Sequence, residues 1–205
     1  MPRNAPEELK ALLRDFRRDQ IVEVAQRLFG ERGTADVSID DIAAQAGVAR
    51  STVYVYFANR DEVLRACLKR MHAQLLDAIA SSWEEIARPF DRMRLLIAGI
   101  LERIDDNPAF FRLALAMPAL SGQTGSAMGA ELGIISLDLA RLIRDVLEEA
   151  MVAGDIATMD LDRATTLAGQ QLYGAISVRA GHPAPDPIDV AAAEVTAFVW
   201  RGLAG

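Results

Sequence analysis

Six neighbouring side chains, Arg50, Ser51, Thr52, Tyr54, Val55 and Tyr56, have the types and spacing to read a nucleic-acid groove. Short hydroxyls bond base edges or phosphates, an arginine makes a paired contact with guanine or holds a phosphate, and a valine packs on a thymine methyl. At about 100° per residue, Val53 and Phe57 stack as the buried edge of a two-turn helix. Ser51 and Val55 then lie opposite, Thr52 beside them, and the two tyrosines flank that face where the walls of a groove would run. The face carries no acid: no Asp or Glu occurs between Asp41 and Asp61.

Such a helix needs a preceding helix and a sharp turn. Ser38 is placed to cap the first, with Asp40 and Asp41 set against the positive end of its dipole. Ile42, Ala43 and Ala46 form its apolar stripe, and Gly47 stands where a helix ends in a left-handed conformation. Upstream, Ile21, Ala25, Leu28 and Phe29 recur at helical spacing until Gly30 to Gly33. Before them Leu9, Leu12, Leu13 and Phe16 continue the same period after Pro6, which extends the first helix backwards. Arg14, Arg17 and Arg18 on that segment are basic enough to approach DNA, although charge runs usually form solvated faces. Downstream, Asn59 predicts the cap of a helix over about 61–87, with Glu62 as its capping-box partner. Arg60 in the first turn opposes the helix dipole, which a nearby phosphate would explain.

The chain has 205 residues, 51% of them hydrophobic, with one cysteine, Cys67, and a net charge of −7. The acid is unevenly spread: residues 1–70 hold twelve Lys and Arg against eleven Asp and Glu, leaving ten against eighteen for residues 71–205. The local field over the recognition face can therefore be positive on an acidic protein. No apolar run reaches membrane-spanning length and the polar start does not resemble a signal peptide, so a cytoplasmic location is expected. His72 and His182 are far apart and no phosphate loop, nucleophile motif or Cys-His cluster appears, so neither catalysis, nor a cofactor, nor a metal is expected.

Beyond Arg88-Pro89 the pattern predicts helices near 91–105, 109–117, 129–152, 161–180 and 188–203, with a loop over 119–128. The middle helices supply candidate lining for a small-molecule effector: Trp83, Met93, Ile97, Phe110, Phe111, Leu115, Met117, Ile135, Leu139 and Tyr173, with Gln170, Gln171, Ser136 and Arg94 for polar contacts. The last two helices are apolar over more than one face.

The stretch from Arg18 to Leu64 resembles the DNA-binding domain of TetR-type (tetracycline-repressor-like) bacterial regulators. The resemblance rests on Ile21 to Phe29, Gly33, Ser38, Ile42-Ala43, Ala46-Gly47-Val48, Thr52, Tyr54, Tyr56-Phe57, Arg60, Glu62 and Leu64. Two departures are Ala49, where many members have serine, and Arg60, where lysine is commoner. The resemblance implies an all-α protein: a three-helix helix-turn-helix domain over 1–60, with residues 1–17 as an extension, and a helical effector-binding and dimerisation domain over 61–205. It implies phosphate contacts from Ser38, Tyr54, Tyr56 and Arg60, and base contacts from Arg50, Ser51, Thr52 and Val55. It implies homodimerisation through Leu167, Ala168, Leu172, Ala175, Val195, Phe198 and Val199, which suits a palindromic operator. The implied function is a ligand-responsive regulator, most often a repressor. The second reading is a helical protein-interaction module that keeps the motif without using it on DNA.

Overall fold

The computed structural model describes residues 5–108, 111, 127–182 and 184–203, and among them every regular element is a helix. Eight are described: α1 (Ala5–Arg32), α2 (Ile39–Gln45), α3 (Arg50–Tyr56), α4 (Arg60–Trp83), α5 (Pro89–Asp106), α6 (Ala127–Ala153), α7 (Leu161–Gly181) and α8 (Ile188–Leu203). The chain divides into two compact units, Met1–Arg70 and Met71–Gly205.

In the first unit, the extension and the first predicted helix are one continuous α1. Its carboxy-terminal half buries Ile21, Val22, Ala25, Leu28 and Phe29 and packs on α2, where Ile42 and Ala43 are buried, and α2 in turn packs on α3, where Val53 is buried. The unit runs on to Arg70, past the expected end at residue 60, because the first turns of α4 complete this core. Val63, Leu64 and Cys67 are buried there, and the Cys67 thiol donates to the Val22 carbonyl at 3.6 Å. Burial pushes that thiol up to about 12. Because the thiolate is the reactive form, Cys67 is expected to resist thiol reagents at neutral pH until the unit unfolds. Labelling with a chromogenic disulfide along a urea titration checks this, and the labelled fraction should follow the loss of helix.

In the second unit α5 is the hub, packing on α6, α7 and α8. Pro89 opens it at a position where a missing amide costs nothing, and Met93, Leu96, Ile97, Ile100, Leu101 and Ile104 fill its inner face. Arg179 of α7 is buried and reaches the same helix, its Nε and Nη2 donating to the Asp105 carboxylate at 2.7 and 2.5 Å. Its Nη1 donates to the Asp186 carbonyl at 2.9 Å, tying down the connection into α8. The predicted helix over 109–117 and most of the 119–128 loop lie outside the described residues. α4 ends at Trp83, short of the expected residue 87, where Glu84 and Glu85 form a turn before the extended Arg88 that precedes Pro89.

Candidate nucleic-acid interface and effector cavity

α2, its turn and α3 are held by their own backbone. Gly47 takes φ +66°, which lets the Gly47 amide donate to the Ala44 carbonyl at 3.2 Å and the Val48 amide to the Ala43 carbonyl at 3.0 Å. This is the Schellman closure, and a side chain with a Cβ would be strained in it. Val53 is fully buried and Phe57 nearly so, while Ser51, Tyr54 and Val55 are exposed and Thr52 and Tyr56 half-buried. The helix-face geometry read from the sequence is thus the geometry of the fold. α3 starts without a side-chain cap, since Ala49 has no oxygen to offer.

Four of the expected contact residues, Arg50, Tyr54, Ser38 and Arg60, already have partners within the protein. Arg50 donates through Nη1 to the Asp40 carboxylate at 2.9 Å and through Nη2 to the Tyr54 hydroxyl at 3.3 Å, with its guanidinium carbon 5.6 Å from the tyrosine ring centre. The Tyr54 hydroxyl and Asp40 together raise the Arg50 pKa further. All three side chains remain on the exposed face, and an exposed ion pair is weak enough to be exchanged for a nucleic-acid ligand.

Ser38 accepts from the Asp41 amide at 3.2 Å, while its own amide donates to the Asp41 carboxylate at 2.8 Å and its hydroxyl donates to the same carboxylate. With its hydroxyl proton committed beside an anion, Ser38 serves in this arrangement as the cap of α2, and it has no proton left for a phosphate. The hydroxyl and amide of Ser38, and more weakly Arg32, hold the Asp41 carboxyl below its ordinary range. Ser38→Ala is expected to cost the first unit roughly 1 kcal/mol at neutral pH, the usual worth of such a cap. A lowered carboxyl stabilises the fold above its unfolded pKa, and that contribution is lost as pH falls through the folded value. The gap between wild type and Ser38→Ala in chemical denaturation should therefore narrow in acid below the ordinary value of 3.8, leaving the part due to the Asp41 amide bond.

Arg60 turns inward. Its Nε donates to the Val37 carbonyl at 2.8 Å and its guanidinium carbon lies 5.5 Å from the Phe29 ring centre, with Nη2 buried and unpartnered. The Val37 carbonyl, together with the ring face, accounts for a cation in the first turn of α4, where the sequence suggested a phosphate. Asn59 does cap that helix, accepting from the Glu62 amide at 2.9 Å, but Glu62 accepts from the Ala58 amide at 2.7 Å, one residue before the cap. Arg18, a candidate for DNA from the extension, sits with its guanidinium carbon 5.2 Å from the Phe57 ring centre.

In the second unit a cavity of about 350 Å³ lies between α6 and α7. Of the expected lining residues, Phe111, Leu139, Gln170 and Tyr173 border it, as does Ser136. Met93 and Ile97 are instead sealed in the core on the inner face of α5. Trp83 lies under the Arg92 guanidinium at 5.5 Å, Arg94 approaches Asp91 at 3.8 Å, and Ile135 is half-buried off the cavity wall. Phe110, Leu115 and Met117 lie outside the described residues. The sequence reading missed Leu132, Ile143, Thr165, Thr166 and Ile176, which the register of the two helices brings to the wall. Thr165, Thr166 and Ser136 donate to carbonyls of their own helices at 2.7, 2.8 and 2.9 Å, so Gln170 and the Tyr173 hydroxyl are the donors left facing the space.

The implied dimer residues also separate. Ala168, Leu172 and Val199 are buried inside the protomer and Ala175 and Val195 are half-buried, whereas Leu167 and Phe198 are 47% and 57% exposed. Leu172 and Val199 face the protomer's own core because they lie on the side of α7 and α8 that packs on α5. Along the outer face of α7, Leu167, Gln171, Gly174 and Val178 follow at steps of three and four and are all exposed. No cluster of His, Cys, Asp or Glu able to hold a metal occurs among the described residues.

A capped, glycine-turned helix pair presenting an acid-free helix, followed by a helical unit with its own cavity, is an arrangement of the helix-turn-helix kind. Residues 21–67 match the family described as bacterial regulatory proteins, tetR family. An uncharacterised HTH-type transcriptional regulator of Mycobacterium tuberculosis is 32% identical over 101 residues, 49% of this chain and 50% of that protein, so the match spans about half the length of this relative. The fatty acid metabolism regulator protein of Bacillus subtilis is 25% identical over 157 residues, 77% of this chain and 78% of that one. The crystal structure of the transcriptional regulator FadR from Bacillus subtilis in complex with stearoyl-CoA shares the fold at TM-score 0.75 and 18% identity, over 90% of this chain and 98% of that one.

Proposed function

We propose that this protein is a ligand-responsive transcriptional regulator of the cytoplasm that binds a palindromic operator as a homodimer, acts as a repressor, and is released by a small, mostly apolar effector. The observation that carries the reading is the outward face of α3. Ser51, Thr52 and Val55 stand free between Tyr54 and Tyr56, with Arg50 at the amino-terminal end and no carboxylate on the helix itself. Arg50 would exchange Asp40 for a guanine edge or a phosphate, and the tyrosine hydroxyls would hold the backbone on either side. Ser38 and Arg60 support the reading helix from within the fold.

The effector site is the cavity between α6 and α7, whose wall is mainly aliphatic and aromatic with Gln170 and Tyr173 as orienting groups. Likeness to a fatty acid metabolism regulator supports an effector with an acyl tail. An effector that favours one of two arrangements of the DNA-reading heads by about 1–3 kcal/mol changes operator affinity several-fold or more. Selection from random duplexes, followed by gel shift between 50 and 200 mM salt, tests the DNA reading. Thr52→Ala should lower affinity for the selected sequence about tenfold, and Tyr54→Phe should lower it to a similar degree on all sequences. Unchanged binding by both variants removes these contacts. Recovery of no sequence, with no salt-sensitive shift, returns the protein to the interaction-module reading. Long-chain acyl-CoA should raise the thermal midpoint, and Tyr173→Ala should abolish that rise.

A further inference from the structure

The amino-terminal half of α1 is an amphipathic helix whose apolar side touches nothing. Leu9, Leu12, Leu13 and Phe16 are 57%, 66%, 59% and 69% exposed, yet they are spaced as a buried face is spaced. At 100° per residue the four fall within a stripe about 100° wide and about 10 Å long. Glu8, Asp15 and Asp19 run along one edge of the stripe, and Lys10 and Arg17 along the other. All five are exposed or nearly so, and Glu8, Lys10 and Asp15 have no ion-pair partner among the described residues.

We infer that this stripe pairs in parallel with the same stripe of a second copy of the chain. The charged edges choose both the occupant and its direction. When two identical helices lie side by side and parallel, the two-fold axis runs along them and sets the acidic edge of each against the basic edge of the other. Glu8 then meets Lys10 of the second copy, and Asp15 meets Arg17, each offset by two residues or about 3 Å along the axis. In the antiparallel arrangement the axis crosses the helices and sets acid against acid and base against base. Parallel pairing buries Leu9, Leu12 and Phe16 against their own counterparts, with Leu13 broadening the seam.

Four side chains fall well short of the roughly 800 Å² per partner of a free-standing interface. The pairing therefore rests on the homodimer proposed above, whose tether raises the effective concentration of one stripe beside the other. It adds a contact at the amino-terminal end that α7 and α8 do not supply.

Disulfide trapping in the full-length chain tests this, because the buried Cys67 is inert. Under mild oxidation Leu9→Cys should form a covalent dimer at least ten times faster than Glu7→Cys, which lies on the opposite side of the helix. A mixture of Leu9→Cys and Phe16→Cys should give like-with-like dimers. Adding Glu8→Lys and Asp15→Lys should suppress the cross-link, and adding Lys10→Glu and Arg17→Glu on top should restore it. Leu9→Cys joining no faster than Glu7→Cys, a predominance of mixed dimers, or protection of the new thiol by duplex DNA or anionic lipid vesicles in place of cross-linking each overturns the inference. Sedimentation of the reduced variants separates the two readings: a dimer that does not cross-link sinks the stripe alone, and a monomer sinks the homodimer.

Discussion

Gly174→Leu is expected to leave the protomer folded and slightly more stable, and to lower operator affinity by about a hundredfold or more. Gly174 is exposed on α7, and a Cβ built there meets nothing within 4 Å. Inside the protomer the change only removes the conformational freedom of a mid-helix glycine, which stabilises by about 0.5–1 kcal/mol. In the proposed dimer the same site lies between Leu167, Val178 and Phe198, apolar groups that water covers in the single chain. A leucine would hold the two copies apart where glycine lets helices approach. Losing the second head removes the avidity of two half-sites, worth about 10²–10⁴ in affinity. Sedimentation and thermal unfolding together decide the matter: a monomer with a raised thermal midpoint supports the interface, and an intact dimer relocates it. Gly174→Ala is the graded control, stabilising the protomer with a smaller effect on assembly.

The second large effect is at Phe29. Its ring is wholly buried at the centre of the first unit, one face under the Arg60 guanidinium. Phe29→Ala is expected to destabilise that unit by about 3–5 kcal/mol, the usual cost of deleting a buried aromatic ring. DNA binding should fail with it, because Val53 and Phe57 lose the core that seats α3. Arg60→Met separates packing from phosphate contact. If Arg60 acts as the tether between Val37 and Phe29, Arg60→Met lowers stability while the salt dependence of DNA binding stays as in wild type. If it binds a phosphate, the slope of log affinity against log salt becomes shallower by about one. The stability losses of Phe29→Ala and Arg60→Met should also be less than additive, since the residues share one contact.

Helix α3 and its turn were legible from sequence because their determinants are local. Helical period places Val53 and Phe57 inward and Ser51 and Val55 outward, Gly47 marks the turn, and Ser38 marks the cap, all within a few residues of the positions they govern. The all-helical class followed from the same short-range periodicity. What sequence could not supply was the partner of a long side chain. Arg60 satisfies a general rule for phosphate contact, yet the Val37 carbonyl, 23 residues earlier in the chain, accepts the hydrogen bond from its Nε. Only the packing of α4 against α1 brings that carbonyl within reach. The division of α7 and α8 was hidden for the same reason: both helices are apolar over more than one face, so periodicity gives no single preferred face. Which side is inside is set by where α5 lies. That contact buries Leu172 and Val199 and leaves Leu167, Gly174 and Phe198 for whatever comes next. Local chemistry wrote the helix-turn-helix, while long-range packing decided which side chains remain free to touch anything else.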